Sequence, residues 1–577
     1  MNGISRRTIL TTGLLGGAAA SCTRKPEMTP LTSPSEAAGG IFAHGVASGD
    51  PARDSVVLWT RVTTDATEPF PVVWEMAADK DFTDARGKGE AIASAASDWT
   101  VKAVAYDLSP GETYYYRFRV GDAYSPTGRT RTLPTGPIDK ARFAIISCSN
   151  FPFGFFNVYD LISRQEGIEA IVHLGDYIYE YGGDGYGGEM GAKLGRPHDP
   201  AHECVTLDDY RRRHAQYKAD AASQAAHAAH PLIAIWDDHE TSNNSWKDGA
   251  ENHDPASEGD WQTRKRAALQ AYYEWLPIRE PEPGRAREAI FRAFSYGDLL
   301  TLTALETRLM ARAQQFEYSD VVPTLKTPED IERFRNDILW DPSREMMGAA
   351  QSEFVAKTLK DSVASGQPWQ LIANQVIMAE VIAPDLRPHV TEEDIVELEK
   401  QWSSARAFVQ SSGLGLPTNF DAWDGYPAAR ERFYDIVEEA GSNGLVVVTG
   451  DTHTWWANDL EKRDGSPVGV ELGTHSVTSP SPYRKSFLGG KGAEYALLTN
   501  KENKSVRYLS GEDHGFIDLE FRRDGAHAKF MAVDTIESPS YNAFEKAAFS
   551  IKRGDGHSKF SGVKDVSLKE TVLFYKS

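Results

Sequence analysis

Val172-His-Leu-Gly-Asp176-Tyr-Ile-Tyr179, Ile235-Trp-Asp237-Asp238-His239-Glu240 and Val448-Thr-Gly-Asp451-Thr-His453 share one grammar. In each, a short apolar run stops on side chains able to hold a metal ion. Ile145-Ile-Ser-Cys148-Ser-Asn150 follows the same pattern with a thiol. Apolar runs of this length, bounded by turn residues, read as buried strands. In open α/β sheets ligands bind outside the carboxyl ends of strands, so stretches far apart in the chain can meet there. One Gly-Asp after an apolar run marks only a turn. Four consistent cases point to a shared site.

Working outward, further apolar runs at Phe143–Ser147, Ala170–Leu174, Leu232–Trp236, Leu299–Leu305, Trp369–Val376 and Leu445–Thr449 alternate with helical stretches at Leu207–His230, Trp261–Trp275 and Ala349–Val363. That alternation predicts parallel strands with crossover helices, an α/β domain over 142–545 followed by a C-terminal extension, 546–577. Upstream, over 41–135, the grammar is different. Short β segments at Val56–Val62, Val72–Met76, Val101–Leu108 and Thr113–Val120 are punctuated by Gly49-Asp50-Pro51 and Ser109-Pro110-Gly111. The run from Leu108 to Phe118 resembles the corner of a fibronectin type III-like sandwich, where a tyrosine bonds back to a loop. Residues 23–40 read as a linker. Tyr181–Pro200 is glycine-rich and follows a strand end directly; a loop over the site and a solvated surface loop both fit.

The chain has 577 residues, 41% hydrophobic and 25% charged, with a net charge of −21. An acidic surface repels nucleic acid and anionic membranes, so no nucleic-acid-binding surface is expected. An anionic substrate would need positive charge concentrated locally. Residues 1–22 carry Arg6-Arg7 ahead of a mild apolar run, the look of a twin-arginine export signal. The expected partner is then the twin-arginine export machinery, and the expected place is the periplasm or the medium. Ile9–Ala20 is too short to span a bilayer, and no transmembrane helix is expected elsewhere. Ala18-Ala19-Ala20 offers a signal-peptidase site, while Ala19–Cys22 resembles a lipoprotein box; release and a lipid anchor at Cys22 both stand. Three cysteines do not make a disulfide framework, though a Cys148–Cys204 bridge stays open.

The four strand ends suit a two-metal hydrolytic site. Carboxylates bridge or cap hard cations, and imidazole and thiolate complete the shell. Two such cations can bind a phosphate and lower the pKa of bound water. Gly175-Asp-Tyr-Ile-Tyr179, Asp237-Asp-His-Glu240 and Gly450-Asp-Thr-His453, in this order, resemble the alkaline phosphatase D (PhoD-like) family, distant relatives of the purple acid phosphatases among calcineurin-like metallophosphoesterases. Val46-Ala-Ser-Gly-Asp-Pro51, Val57-Leu-Trp-Thr-Arg61, Tyr210–Tyr217 and Asp421–Pro427 carry the likeness over nearly the whole chain.

That resemblance implies an α/β fold: an N-terminal fibronectin type III-like β-sandwich followed by a calcineurin-like metallophosphatase αββα domain. It implies an exported hydrolase of phosphate mono- and diesters, acting on small phosphoesters by attack of a metal-bound hydroxide without a phosphoserine. By position, Cys148, Asp176, Tyr179 and His453 would hold Fe3+; Asp176 would bridge to Ca2+, with Asp238 and Asp451. His239 would protonate the leaving oxygen. Arg308 and Asn150 are candidate substrate contacts, and for Arg308 a structural role is equally open. One departure is Leu305-Glu306-Thr307-Arg308, where the family usually has Leu-Asp-Thr-Arg. Several readings stay open: Asp237 as ligand or structural carboxylate, Asn150 as contact or Asx-turn, Tyr179 as ligand or packing group, His475 as substrate contact or structural. His44, His227 and His230 read as structural. The rivals are a phospholipase D-like diesterase acting on lipid head groups, which activity on phosphatidylcholine would separate, and a non-catalytic phosphate- or metal-binding protein, which a turnover assay would separate.

Overall fold

A computed structural model describes residues 30–34, 38–400, 402–487 and 490–565. The twin-arginine segment, with Cys22, lies outside them.

Alternation along two sheets builds the architecture. In Lys140–Ile146, Phe143 and Ile145 face one way while Ala144 and Ile146 face the other. In Leu445–Thr449, Val446 and Val448 separate from Leu445 and Val447 in the same manner. Successive strand residues point to opposite faces, so each of these strands is apolar on both sides. The inner faces of a ten-stranded and a seven-stranded sheet meet in one core containing Phe143, Ile145, Leu371 and Val448. Helices Asn157–Ser163 and Trp261–Trp275 cover one outer face. Gly348–Ala364 and Pro427–Glu439 cover the other. The order of layers is helix, sheet, sheet, helix.

Each sheet has a parallel centre. In the larger, Lys140–Ile146, Ala170–His173 and Leu232–Ala234 run parallel. In the smaller, Leu300–Ala304, Trp369–Ala373, Leu445–Thr449 and Pro467–Gly473 do. Their carboxyl ends carry the residues singled out above.

The N-terminal β region is fused to this frame. Val46–Gly49 pairs parallel with Leu232–Ala234 through Leu232 and Gly49, and Val56–Arg61 and Thr100–Ala105 continue the ten-stranded sheet. A second, five-stranded sheet centres on Phe70–Ala77 and Thr113–Val120. At its corner the Ser109 N–H donates to the Tyr114 hydroxyl at 2.8 Å, the bond the sequence predicts. Asp50 locks the seam: Arg292 pairs with it at 2.6 Å and the Arg279 N–H donates to it at 2.8 Å.

Local structure departs from the periodicity in four places. The stretch Leu207–His230 is two helices, Leu207–Lys218 and Ala221–Ala229, because Asp220 accepts from the Ala222 and Ser223 N–H groups and starts a new helix. Within the linker, Leu31–Thr32 pairs with Ser540–Tyr541. The boundary after residue 545 falls inside the strand Ala543–Arg553, which pairs with Ser558–Asp565 at the sheet edge. The glycine-rich loop contains the helix Gly188–Leu194, and the Arg213 side chain donates to the Asp199 and Pro200 carbonyls at 3.1 and 2.9 Å. Cys148 and Cys204 are free, buried thiols, so no bridge joins them.

Gly49 is the tightest point of the seam. A Cβ there would lie 2.4 Å from the Pro277 oxygen and 2.5 Å from the Leu232 oxygen, both backbone atoms. Gly49→Ala should therefore lower stability by about 1–3 kcal/mol, read as a lower urea midpoint; an unchanged midpoint would show that the seam yields freely.

Candidate metal centre

The strand ends turn inward by an uncommon backbone. Cys148, Asp176, Asp451 and His453 have φ of 60°, 57°, 60° and 52°. Left-handed geometry is costly for residues other than glycine, and such residues gather at functional sites. Gly175, at φ 110°, leaves no room for a side chain, since a Cβ would sit 2.4 Å from the Asp237 nitrogen. The two strand ends are thereby pressed together.

The ligand atoms of Cys148, Asp176 and His453 all lie within 4.8 Å of one another. The same holds for Asp176, Asp238 and His239, and for Asp237, Asp238 and Asp451. Asp176 belongs to the first two groups. The Tyr179 hydroxyl is 2.9 Å from Asp176 Oδ2 and 3.1 Å from His453 Nε2. His453 Nδ1 lies 3.1 Å from the Pro480 carbonyl, which can only accept, so Nδ1 carries the proton and Nε2 faces the cluster bare.

Residues and electrostatics fit bound cations. Asp176 Oδ1, Asp237 Oδ2 and Asp238 Oδ1 are buried oxygens without a hydrogen-bond partner among the described residues. Burial pushes Asp176 well up, and Asp238 and Asp237 add repulsion. Asp451 is pushed well up by burial and by Asp237 and Asp421. Burial likewise raises the Cys148 thiol and the Tyr179 phenol, with Asp176 adding to both. Burial takes His453 down to about 3, leaving a neutral imidazole. Groups whose ionised forms disfavour one another are what a cation brings to charge.

Arg308 sits behind this cluster with a fully buried side chain. It is bonded to Asp237, and it donates to Asp421 at 2.8 Å. Its remaining nitrogen is 3.6 Å from both Asp238 and Asp451. Arg312 also pairs with Asp421. Arg308 braces the carboxylates through Nε and Nη1, while its Nη2 has no hydrogen-bond partner among the described residues. Asp237 is fixed by that brace while its second oxygen stays unbonded. Glu306 accepts from the N–H groups of Arg308 at 2.9 Å, Leu309 at 2.6 Å and Met310 at 3.1 Å, and from Trp236 at 3.0 Å. Glu306 therefore holds the turn that presents Arg308. Asn150 makes no side-chain cap, and both its amide atoms are buried without a partner, so the Asx-turn reading drops out. His475 is buried against Ser476 and Gly511 and reads as structural.

Glu180 and Ser479 escaped the sequence reading, and Glu240 stood in its motif without a role. Glu180 accepts from His239 Nδ1 at 2.8 Å and from the Asn243 N–H at 2.6 Å. Glu240 accepts from the N–H groups of Asp176 at 3.1 Å, Tyr177 at 2.6 Å and Asp237 at 2.9 Å, tying two strand ends together. Ser479 donates to the Tyr179 hydroxyl at 2.8 Å. Glu180 and Glu240 adjoin Tyr179 and His239 in the chain; that adjacency was the available signal.

Residues 143–530 match the PhoD-like phosphatase family, and residues 28–134 match the N-terminal domain of PhoD-like phosphatases. Alkaline phosphatase D of Bacillus subtilis (strain 168) is 32% identical over 525 residues, covering 88% of this chain and 80% of that protein. A solved structure described as the structure of PhoD superposes with a TM-score of 0.74 at 28% identity, covering 92% of this chain and 94% of that one.

Replacing Arg308 by methionine should cost about 3–5 kcal/mol of stability, because it strands buried carboxylates without their counter-charge. A urea midpoint equal to that of the native protein would remove Arg308 from its bracing role.

Proposed function

This chain belongs to the PhoD-like phosphatase family and is a phosphoric ester hydrolase; from that premise we propose a metal-dependent, exported alkaline phosphatase or phosphodiesterase with Fe3+ and Ca2+ at the strand ends. The observation that carries the reading is Asp176, shared between a cluster with Cys148 and His453 and a cluster with Asp238 and His239. Cys148, Asp176, Tyr179 and His453 would hold the iron, and Asp176, Asp238 and Asp451 the calcium. When bound, the cations supply Lewis acidity that neutralises phosphate charge and lowers the pKa of bound water. We read the layered domain as calcineurin-like and the N-terminal region as fibronectin type III-like, a reading supported by the sheet order and the Tyr114 corner. Arg6-Arg7 supports export.

This chain's own residues do the rest. His239 stacks on Tyr179 with ring centres 4.2 Å apart, and Glu180 holds its Nδ1. That leaves Nε2 free to give a proton. Without cations, burial works against a charged ring, but Asp238, Glu180 and Asp176 outweigh it and hold the pKa of His239 well above the usual value. Of the three, Glu180 lies outside the proposed ligand set and keeps its charge beside the ring when the cations are bound. His239 thus serves as the acid for the departing oxygen, with Glu180 fixing its orientation. The unpartnered amide of Asn150 offers a donor to a phosphate oxygen.

Turnover of a chromogenic phosphodiester by the metal-loaded protein tests the function directly; no turnover would overturn it. His239→Ala should slow alkyl esters by ~100- to 10,000-fold while sparing nitrophenyl esters, whose leaving group needs no proton. Equal losses on both would place His239 in the fold or the ligand set instead. The metal beside Tyr179 should be ferric: a phenol of pKa ~10 ionises at neutral pH only beside a strong Lewis acid. The protein should be coloured, and Tyr179→Phe should shift or remove the visible band. A colourless, active protein containing only zinc would sink the iron assignment.

A further inference from the structure

His214 and Lys218 stand one turn apart on the helix Leu207–Lys218 and share a buried face. Only 2% of Lys218 is exposed, and its Nζ has no hydrogen-bond partner among the described residues. It lies 4.8 Å from the ring centre of Trp59, in the N-terminal β region, and 5.4 Å from that of Tyr177, which follows Asp176. Both His214 nitrogens are unpartnered too, as are Trp275 Nε1 and His44 Nδ1, among the described residues. These groups are contiguous. His214 stacks on Trp275 with ring centres 6.4 Å apart, and His44 meets the same indole in a T-shape at 5.3 Å. Trp59 lies 5.8 Å from that indole.

The charge acting here has one sign. Arg61 and Lys218 act on His44, and Lys218 and Arg213 act on His214. Lys218 also acts on His173 and His227, on either side of Tyr177. Carboxylates adjoin the place, but arginines already hold them: Arg61 pairs with Asp98 at 2.9 Å, Arg196 with Asp220 at 3.1 Å and Arg211 with Glu274 at 2.7 Å. Burial takes the Lys218 amine down to about 7 and keeps the four imidazoles neutral. An amine so poised takes up a proton when negative charge arrives beside it.

Water or an anion could answer these donors. Water would leave the ammonium without a counter-charge, the costly state for a buried group. A dianion such as phosphate brings twice the charge that one lysine can meet, and burying an ion costs more steeply as its charge rises. A small anion of single charge matches one ammonium and accepts from the neutral N–H groups around it. We propose that Lys218, Trp275 Nε1 and the imidazoles of His44 and His214 hold a monovalent anion, chloride in ordinary media, between the N-terminal β region and the helix Leu207–Lys218. The site is a structural one and stands independently of the phosphoesterase reading.

Crystals of the full chain with its metals, soaked in sodium bromide, should show anomalous scattering from a bromide within hydrogen-bonding reach of Lys218 Nζ. In solution, chloride in place of gluconate at constant ionic strength should raise the melting temperature by about 2 °C at a hundredfold excess over the dissociation constant. Gluconate is the control because its six-carbon chain is too large for a buried site. Lys218→Met should abolish the shift. Trp275→Phe, which removes one donor and keeps a ring, should reduce it, and carries the test if Lys218→Met does not fold. Water at this position with no bromide signal overturns the assignment. A bromide signal without the chloride shift means an adventitious ion only and overturns it as well, as does an undiminished shift in either variant.

Discussion

Carboxylates at the meeting of the two sheets repel one another, and much of the surrounding structure answers that repulsion. Buried Asp176, Asp237, Asp238 and Asp421 crowd together with half-buried Asp451, where two unit charges 4 Å apart interact by about 4 kcal/mol at an effective dielectric of 20. Arg308 and Arg312 meet part of the charge, mostly at Asp237 and Asp421. Asp176, Asp238 and Asp451 remain, and no other guanidinium or ammonium among the described residues pairs with them. Cations bound at this point would turn that repulsion into attraction. The same cations would make an acidic protein attractive to phosphate at one place only.

How these residues meet was legible because each apolar run ends abruptly on polar ligands. Phe143–Ser147, Ala170–Leu174 and Leu445–Thr449 are strands, and Trp261–Trp275 is a helix, because burial imposes its period directly on the sequence. The supports were much less legible. Arg308 could be read as a phosphate contact or as a structural arginine, because an arginine near a strand end carries no mark of which partner it will find. Glu180 lies beside Tyr179 and Glu240 ends the Asp237–Glu240 motif, yet neither role is legible, since a carboxylate that accepts backbone N–H groups looks no different in sequence from one that binds metal. Asp220 broke a predicted helix because a cap is a single local hydrogen bond that periodicity cannot register.

Domain grammar was readable in composition but misleading about independence. Change from alternating short strands to apolar runs with helices does mark two cores, one around Val56, Val72 and Tyr116 and one between the large sheets. Backbone pairing nevertheless crosses the border at Gly49 and Leu232, and the Trp59 indole donates to the Glu274 carbonyl at 2.8 Å. A ten-stranded sheet that starts in the N-terminal region and ends at Ser558–Asp565 ties both ends of the described chain to the strands bearing Cys148 and Asp176.

The left-handed turns at Cys148, Asp176, Asp451 and His453 have a consequence for descent. A branched β-carbon is poorly tolerated at such angles, whereas aspartate, asparagine and histidine adopt them more readily than most. Such a turn therefore favours a short alphabet of side chains, several of them oxygen or nitrogen donors, with Cys148 as the sulfur donor here. A lineage under pressure to work with whichever ion its surroundings provide could exchange one donor for another without rebuilding the turn. The backbone would then outlast the metal, and the same scaffold could change its ion over evolutionary time while keeping its reaction.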